Sequence, residues 1–199
     1  MPIPTEDLRS NIGTWAVGVS LLPAVTRFMV DALPKEEYDP YFCGQPLCTT
    51  YFDTKDFDLR KAREKRDKYL TLRIREYPMS TLAVSAKTET DKFRAEVNTT
   101  DIDALVAALP ANMQARLLDL VGDKPLVPIV TIKCRRYAVE DPTDRFTLDC
   151  DTCTDAGREM PYSILEYKSN TYKDPAQQLQ DLGLRPIKMS KFLWSTNQW

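Results

Sequence analysis

Arg60-Lys-Ala-Arg-Glu-Lys-Arg-Asp-Lys-Tyr-Leu-Thr-Leu-Arg-Ile-Arg75 holds eight lysines or arginines and two acids in sixteen residues, within a chain whose net charge is only −2. Its last part alternates. Tyr69, Thr71, Arg73 and Arg75 fall on one face of an extended strand and Leu70, Leu72 and Ile74 on the other, because strand side chains repeat every two residues. One face is apolar and suited to a core. The other presents two guanidinium groups, planar donors that match phosphate oxygens. So dense a local surplus of positive charge implies an anionic partner.

Around that strand, residues 1–14 read as a polar lead with prolines at 2 and 4, and residues 15–199 as a single domain without repeat or linker. Trp15–Leu22, Cys48–Asp53, Lys68–Tyr77, Thr81–Thr88, Phe93–Val97, Ile129–Val139, Arg145–Asp151 and Ser163–Ser169 have the composition and alternation of strands. Pro23 suits the first turn of a helix that puts Val25, Phe28, Met29 and Leu33 on one side. A short helix is expected over about 56–67. Thr100 can cap another, with Ile102, Leu105, Val106 and Leu109 at helical spacing, and a further helix runs from about Asn112 to before Gly122. Pro175–Leu182 is a short helix stopped by Gly183. Strands in neighbouring pairs with helices inserted between them predict an α+β antiparallel sheet or barrel rather than a wound parallel sheet.

Composition narrows the chemistry. Hydrophobic residues at 43% and charged residues at 28% fit one folded domain with a real core. The near-neutral charge balance argues against a general nucleic-acid coat. The apolar stretch Trp15–Val25 is too short to span a membrane and is broken by Pro23, so no membrane segment is expected and the protein is read as cytoplasmic. The chain has no histidine. That removes Ser-His and Cys-His nucleophiles and imidazole metal ligation, leaving carboxylates, lysines and arginines for any chemistry. Five cysteines are read as free thiols; the pairs Cys43 with Cys48 and Cys150 with Cys153 make a four-thiolate zinc site a weaker alternative. Asp53 is expected to accept hydrogen bonds at a turn or helix start rather than to catalyse. Trp15 and Trp194 are expected to pack at the ends of the barrel.

Charge recurs on one face of several strands. Lys87 lies with Ala83 and Ser85, Arg94 with Glu96, and Arg136 with Ile132 and Cys134. Arg145, Thr147, Asp149 and Asp151 share a face, as do Glu166 and Lys168. A solvated outer face and a charged interior both produce this pattern.

The segments Tyr51-Phe-Asp-Thr54, Leu72-Arg-Ile-Arg-Glu-Tyr77, Ile164-Leu-Glu-Tyr-Lys168 and Leu184-Arg-Pro-Ile-Lys-Met-Ser-Lys-Phe192, in this order and spacing, resemble the VTC domain of polyphosphate polymerases, a branch of the CYTH-like triphosphate tunnel metalloenzymes. The resemblance runs from about Trp15 to Trp194. It implies a closed antiparallel tunnel of about eight strands with inserted helices, whose inner face binds triphosphate, polyphosphate or ATP while carboxylates hold Mg²⁺ or Mn²⁺. Matched position by position, it implies phosphate contacts from Arg63, Arg73, Arg75, Lys87, Arg94, Arg136, Lys168 and Lys191. Arg73, Arg75 and Lys87 are the expected catalytic cations and Glu166 the expected metal ligand. Arg145 also falls at a basic family position, and Asp149 at an aspartate.

The match fails at the metal side. The glutamate and lysine normal for the family's first strand align with Val17 and Val19, and the glutamate two residues before the tunnel lysine aligns with Ser85. Glu6 and Asp7 are close enough in sequence to reach the tunnel mouth instead. Two readings follow. One is metal-dependent phosphoryl transfer or hydrolysis on a triphosphate or polyphosphate. The other is a polyanion-binding or sensing module with weakened metal chemistry.

Overall fold

The computed structural model describes residues 9–33, 44–66, 68–78, 81–171 and 174–196. Glu6, Asp7 and Cys43 lie outside the described residues. The strands are β1 Ser10–Val17, β2 Gln45–Asp53, β3 Thr71–Tyr77, β4 Thr81–Lys87, β5 Lys92–Val97, β6 Val127–Glu140, β7 Asp144–Thr154, β8 Ser163–Ser169 and β9 Arg185–Pro186. The helices are α1 Leu22–Ala32, α2 Asp58–Lys65, α3 Ile102–Ala107, α4 Ala111–Val121, α5 Ala176–Asp181 and α6 Lys191–Thr196.

All nine strands form one antiparallel sheet in the order β5-β4-β3-β2-β6-β7-β8-β1-β9. Two meanders meet where β2 pairs along the 14-residue β6. The architecture is α+β and antiparallel, as expected, but the expected closed eight-stranded barrel is corrected: among the described residues there are nine strands, and the edges β5 and β9 do not pair. The ninth strand is two residues opposite Trp15 and Ala16, too short to leave a pattern in sequence.

The sheet nevertheless curls. Register shifts at Asn11/Gly13, opposite Tyr51/Phe52 and opposite Lys133/Arg135 put extra residues into β1, β6 and β7 and bend them.

The outer, apolar face carries two cores. Leu72, Ile74, Val84 and Ala86 meet Leu59 of α2, Leu105 of α3 and Met113 and Leu117 of α4. Trp15, Val17, Phe146, Leu148 and Leu165 meet Val25 and Met29 of α1 and Leu179 of α5. Burying each such aliphatic side chain contributes about 1.5–3 kcal/mol. Trp15 thus packs within a core rather than at a barrel end. Gly13 is required beside it, since a Cβ there would come within 2.4 Å of the indole.

Helix ends follow local chemistry. Asp101, not Thr100, caps α3, its carboxylate accepting from Ala104 N at 3.0 Å. Gly183, at φ 84°, ends the turn after α5. Asp53 is fully buried and accepts from the backbone N–H groups of Thr54, Leu59 and Arg60 at 2.7, 2.8 and 2.9 Å. It anchors the start of α2, as the sequence reading has it. The first strand sits earlier than expected: Ser10–Val17 is extended, and Val19–Leu21 is a 3-10 turn leading into α1.

Candidate phosphate-binding face

Strand register fixes which side chains share the inner face. Tyr51, Arg73, Ser85 and Arg94 are laterally aligned across β2, β3, β4 and β5. One step along lie Thr49, Arg75, Ala83 and Glu96. Lys87 follows Ser85 by two and therefore shares that face. On the other half, Arg136 is aligned with Asp149, Glu166 with Thr147 and Thr14, and Arg145 with Lys168. Arg73, Arg75, Lys87, Arg94, Arg136 and Lys168 thus occupy one side of the sheet. The expected ligand Lys191 arrives from a helix: α6 lies on this face, with Phe192 stacked on Tyr51 at a centroid distance of 5.1 Å. Arg63 sits on α2, its guanidinium 3.9 Å over the Tyr69 ring, and its charge acts on Lys87.

Two kinds of cation can be told apart. Arg136 donates to both oxygens of buried Asp149, from Nε at 2.6 Å and Nη2 at 2.7 Å, and Lys191 Nζ donates to the same carboxylate. Burial alone would raise the Asp149 pKa, but Arg136 and Lys191 overcome it and hold the carboxyl well below the usual range. Arg136 and Lys191, read from sequence as phosphate ligands, here already share one carboxylate.

Arg73 and Arg75 differ. Arg73 Nη1 donates weakly to Tyr51 OH at 3.4 Å. Arg75 Nε is buried and, among the described residues, meets no hydrogen-bond acceptor. Burial, then the charges of Arg73 and Arg136, lower the Arg75 pKa. Lys87 is likewise lowered, by desolvation first and then by Arg63 and Lys92. Arg94 stands 4.8 Å over the Tyr77 ring. Burial opposes ionisation of Tyr51 and Tyr77, yet Arg73 and Arg75 around the first and Arg75 and Arg94 around the second lower both phenols. Mutual repulsion of this kind is what an incoming polyanion relieves.

The metal-side donors do not fit. The carboxylate of Glu166 is 3.3 Å from Lys168 Nζ, and burial, which would raise its pKa, is outweighed by Lys168 and Arg136. Its neighbours across β7 and β1 are Thr147 and Thr14. Val17, aligned by sequence with a family glutamate, points into the outer core, and Val19 is exposed in the 3-10 turn. Among the described residues no group of three or more acidic, cysteine or histidine side chains is placed to hold a metal ion. A hard dication needs several oxygens. The thiols of Cys48, Cys134, Cys150 and Cys153 are free, and no zinc site forms among them.

Sequence reasoning missed the aromatic residues that back the arginines. Tyr51 and Tyr77 share the parity of Arg73 and Arg75 in register, a signal present in the alternation. The closing of Asp149 onto Arg136 and Lys191, 13 and 42 residues away, left no such signal.

The fold and this face place the molecule. The chain belongs to the VTC domain family, whose profile matches residues 20–199. Among solved structures it is similar to a candidate adenylate cyclase from Bacillus halodurans, with 17% identity, a TM-score of 0.64 and coverage of 96% of this chain and 98% of that one. It is also similar to a candidate adenylyl cyclase from Hippeastrum whose dominant activity is that of a triphosphatase, at 15% identity, a TM-score of 0.58 and coverage of 95% and 96%. A candidate adenylate cyclase from Vibrio parahaemolyticus follows at 18% identity, a TM-score of 0.52 and coverage of 90% and 94%. At these identities the likeness is one of fold alone. A comparison with curated protein sequences found no significant match. No described helix is long and apolar enough to cross a membrane.

Proposed function

We propose that the inner face binds the phosphates of a triphosphate or polyphosphate chain, with Arg73, Arg75, Lys87 and Arg94 as its primary contacts. The observation that carries this reading is Arg75: a half-buried side chain, flanked by Arg73 and Arg136, whose buried Nε has no acceptor among the described residues. An unpaired buried donor is costly unless a ligand meets it. Family membership and the triphosphatase activity of the Hippeastrum relative support a phosphate-chain ligand. Arg136, Lys168 and Lys191 form a second rank, reached when the phosphates compete with Asp149 and Glu166. Arg63, on α2 beside Lys87, guards the rim.

A second reading goes further, to phosphoryl transfer or hydrolysis. Arg73, Arg75 and Lys87 would then stabilise charge on the transferring group; its support is the family and the Hippeastrum relative. Thermal unfolding with tripolyphosphate or sulfate at matched ionic strength tests the binding reading. A larger rise in Tm with tripolyphosphate supports it, and equal rises reject a dedicated site. Phosphate release from tripolyphosphate or ATP tests the second.

A further inference from the structure

We infer that this face holds its phosphate chain with arginine and lysine alone, without a divalent cation bound by the protein. The inference rests on the reading above and concerns how that site is filled.

Three observations carry it. On β1, the inner-face positions beside Glu166 and Ile164 are Thr14 and Ala16, neither of which supplies charged oxygen. On β4, the inner-face neighbour of both Arg73 and Arg94 is Ser85. Of the three carboxylates on this face, Asp149 is committed to Arg136 and Lys191 and Glu166 to Lys168, while Glu96 is exposed on the edge strand β5. A Mg²⁺ ion keeps near-octahedral oxygen coordination and is drawn to a site by carboxylates. Here it would meet no uncommitted carboxylate on β7 or β8, only guanidinium and ammonium groups whose field repels it.

The same arithmetic favours the free anion. A bound Mg²⁺ cancels two of the ligand's negative charges, and the face then gains less from its arginines than it does from the uncomplexed chain. Metal therefore competes for the ligand instead of bridging it to the protein.

Isothermal titration of wild-type protein with tripolyphosphate, in EDTA and in excess Mg²⁺ or Mn²⁺, decides the matter. The expected result is binding in EDTA that weakens severalfold when metal is added, and binding in EDTA that tightens for Glu166→Gln, which removes a negative charge from the face. Binding seen only with metal, or lost in Glu166→Gln with metal present, overturns the inference and leaves the phosphate-binding reading standing. Absence of binding under every condition overturns both.

Discussion

Asp149 takes two parallel hydrogen bonds from Arg136, at 2.6 and 2.7 Å, with its carboxylate almost wholly buried, and Lys191 closes on the same group from α6. A carboxylate so placed fills the slot between two cations for which, on the proposed reading, a phosphate competes. Removing one partner of a buried ion pair costs about 3–5 kcal/mol because the other charge is left uncompensated. Asp149→Asn is expected to lose stability of that order in urea unfolding. Tripolyphosphate should restore more stability to the variant than to the wild type, since phosphate then replaces the missing carboxylate.

The pH dependence follows from the same group. An unfolded aspartate titrates near 3.9, and folded Asp149 lies well below that because Arg136 and Lys191 outweigh its burial. Its contribution is therefore complete above about pH 5 and drains away as pH falls below about 4 toward the folded value. Urea midpoints measured between pH 6 and pH 3 should fall more steeply for wild type than for Asp149→Asn.

Opposite faces of the sheet should behave oppositely in binding. Arg73→Ala removes a charged hydrogen-bond donor from the inner face and is expected to weaken tripolyphosphate binding by roughly 1.5–3 kcal/mol. Arg135, 57% exposed and 3.7 Å from Asp151, is aligned with Cys150 of the outer core. Arg135→Ala should leave the titration unchanged.

Asp53 tests the assignment of structural against functional acids. Asp53→Ala deprives three backbone N–H groups at the start of α2 of their acceptor. A loss of about 2 kcal/mol is expected, a fall in Tm of roughly 4–8 °C for a chain of this size. Affinity for tripolyphosphate measured well below that Tm should match wild type.

Much of this molecule was legible in its residues. The alternation of Leu72, Arg73, Ile74 and Arg75 set both the core and the charged face, because a strand has only two sides. Asp53 could be read as an anchor from its place before a helix. The limits have physical causes. Trp15–Leu22 looks like a strand by composition, but the chain turns at Gly18, leaving Val17 buried and Val19 76% exposed. Lys191 was expected among the inner-face cations, and its place on α6 depends on Phe192 finding Tyr51 far along the chain. Whether β5 and β9 meet is decided by accumulated twist and bulges over the whole sheet, which no local window contains.

The unclosed sheet has a cost that a barrel avoids: its border strands offer unpaired backbone groups on which a second chain can zip and aggregate. The protein blunts both borders. β9 is two residues long and ends in Pro186, which has no N–H to donate. β5 is six residues long and carries Lys92, with Arg94 and Glu96 turned inward, charges that would be buried by any strand added beside them. The arginine proposed as a phosphate contact is thereby also expected to guard against edge-to-edge association, and replacing Arg94 with an apolar residue should reveal this as light scattering on concentration even before binding is measured.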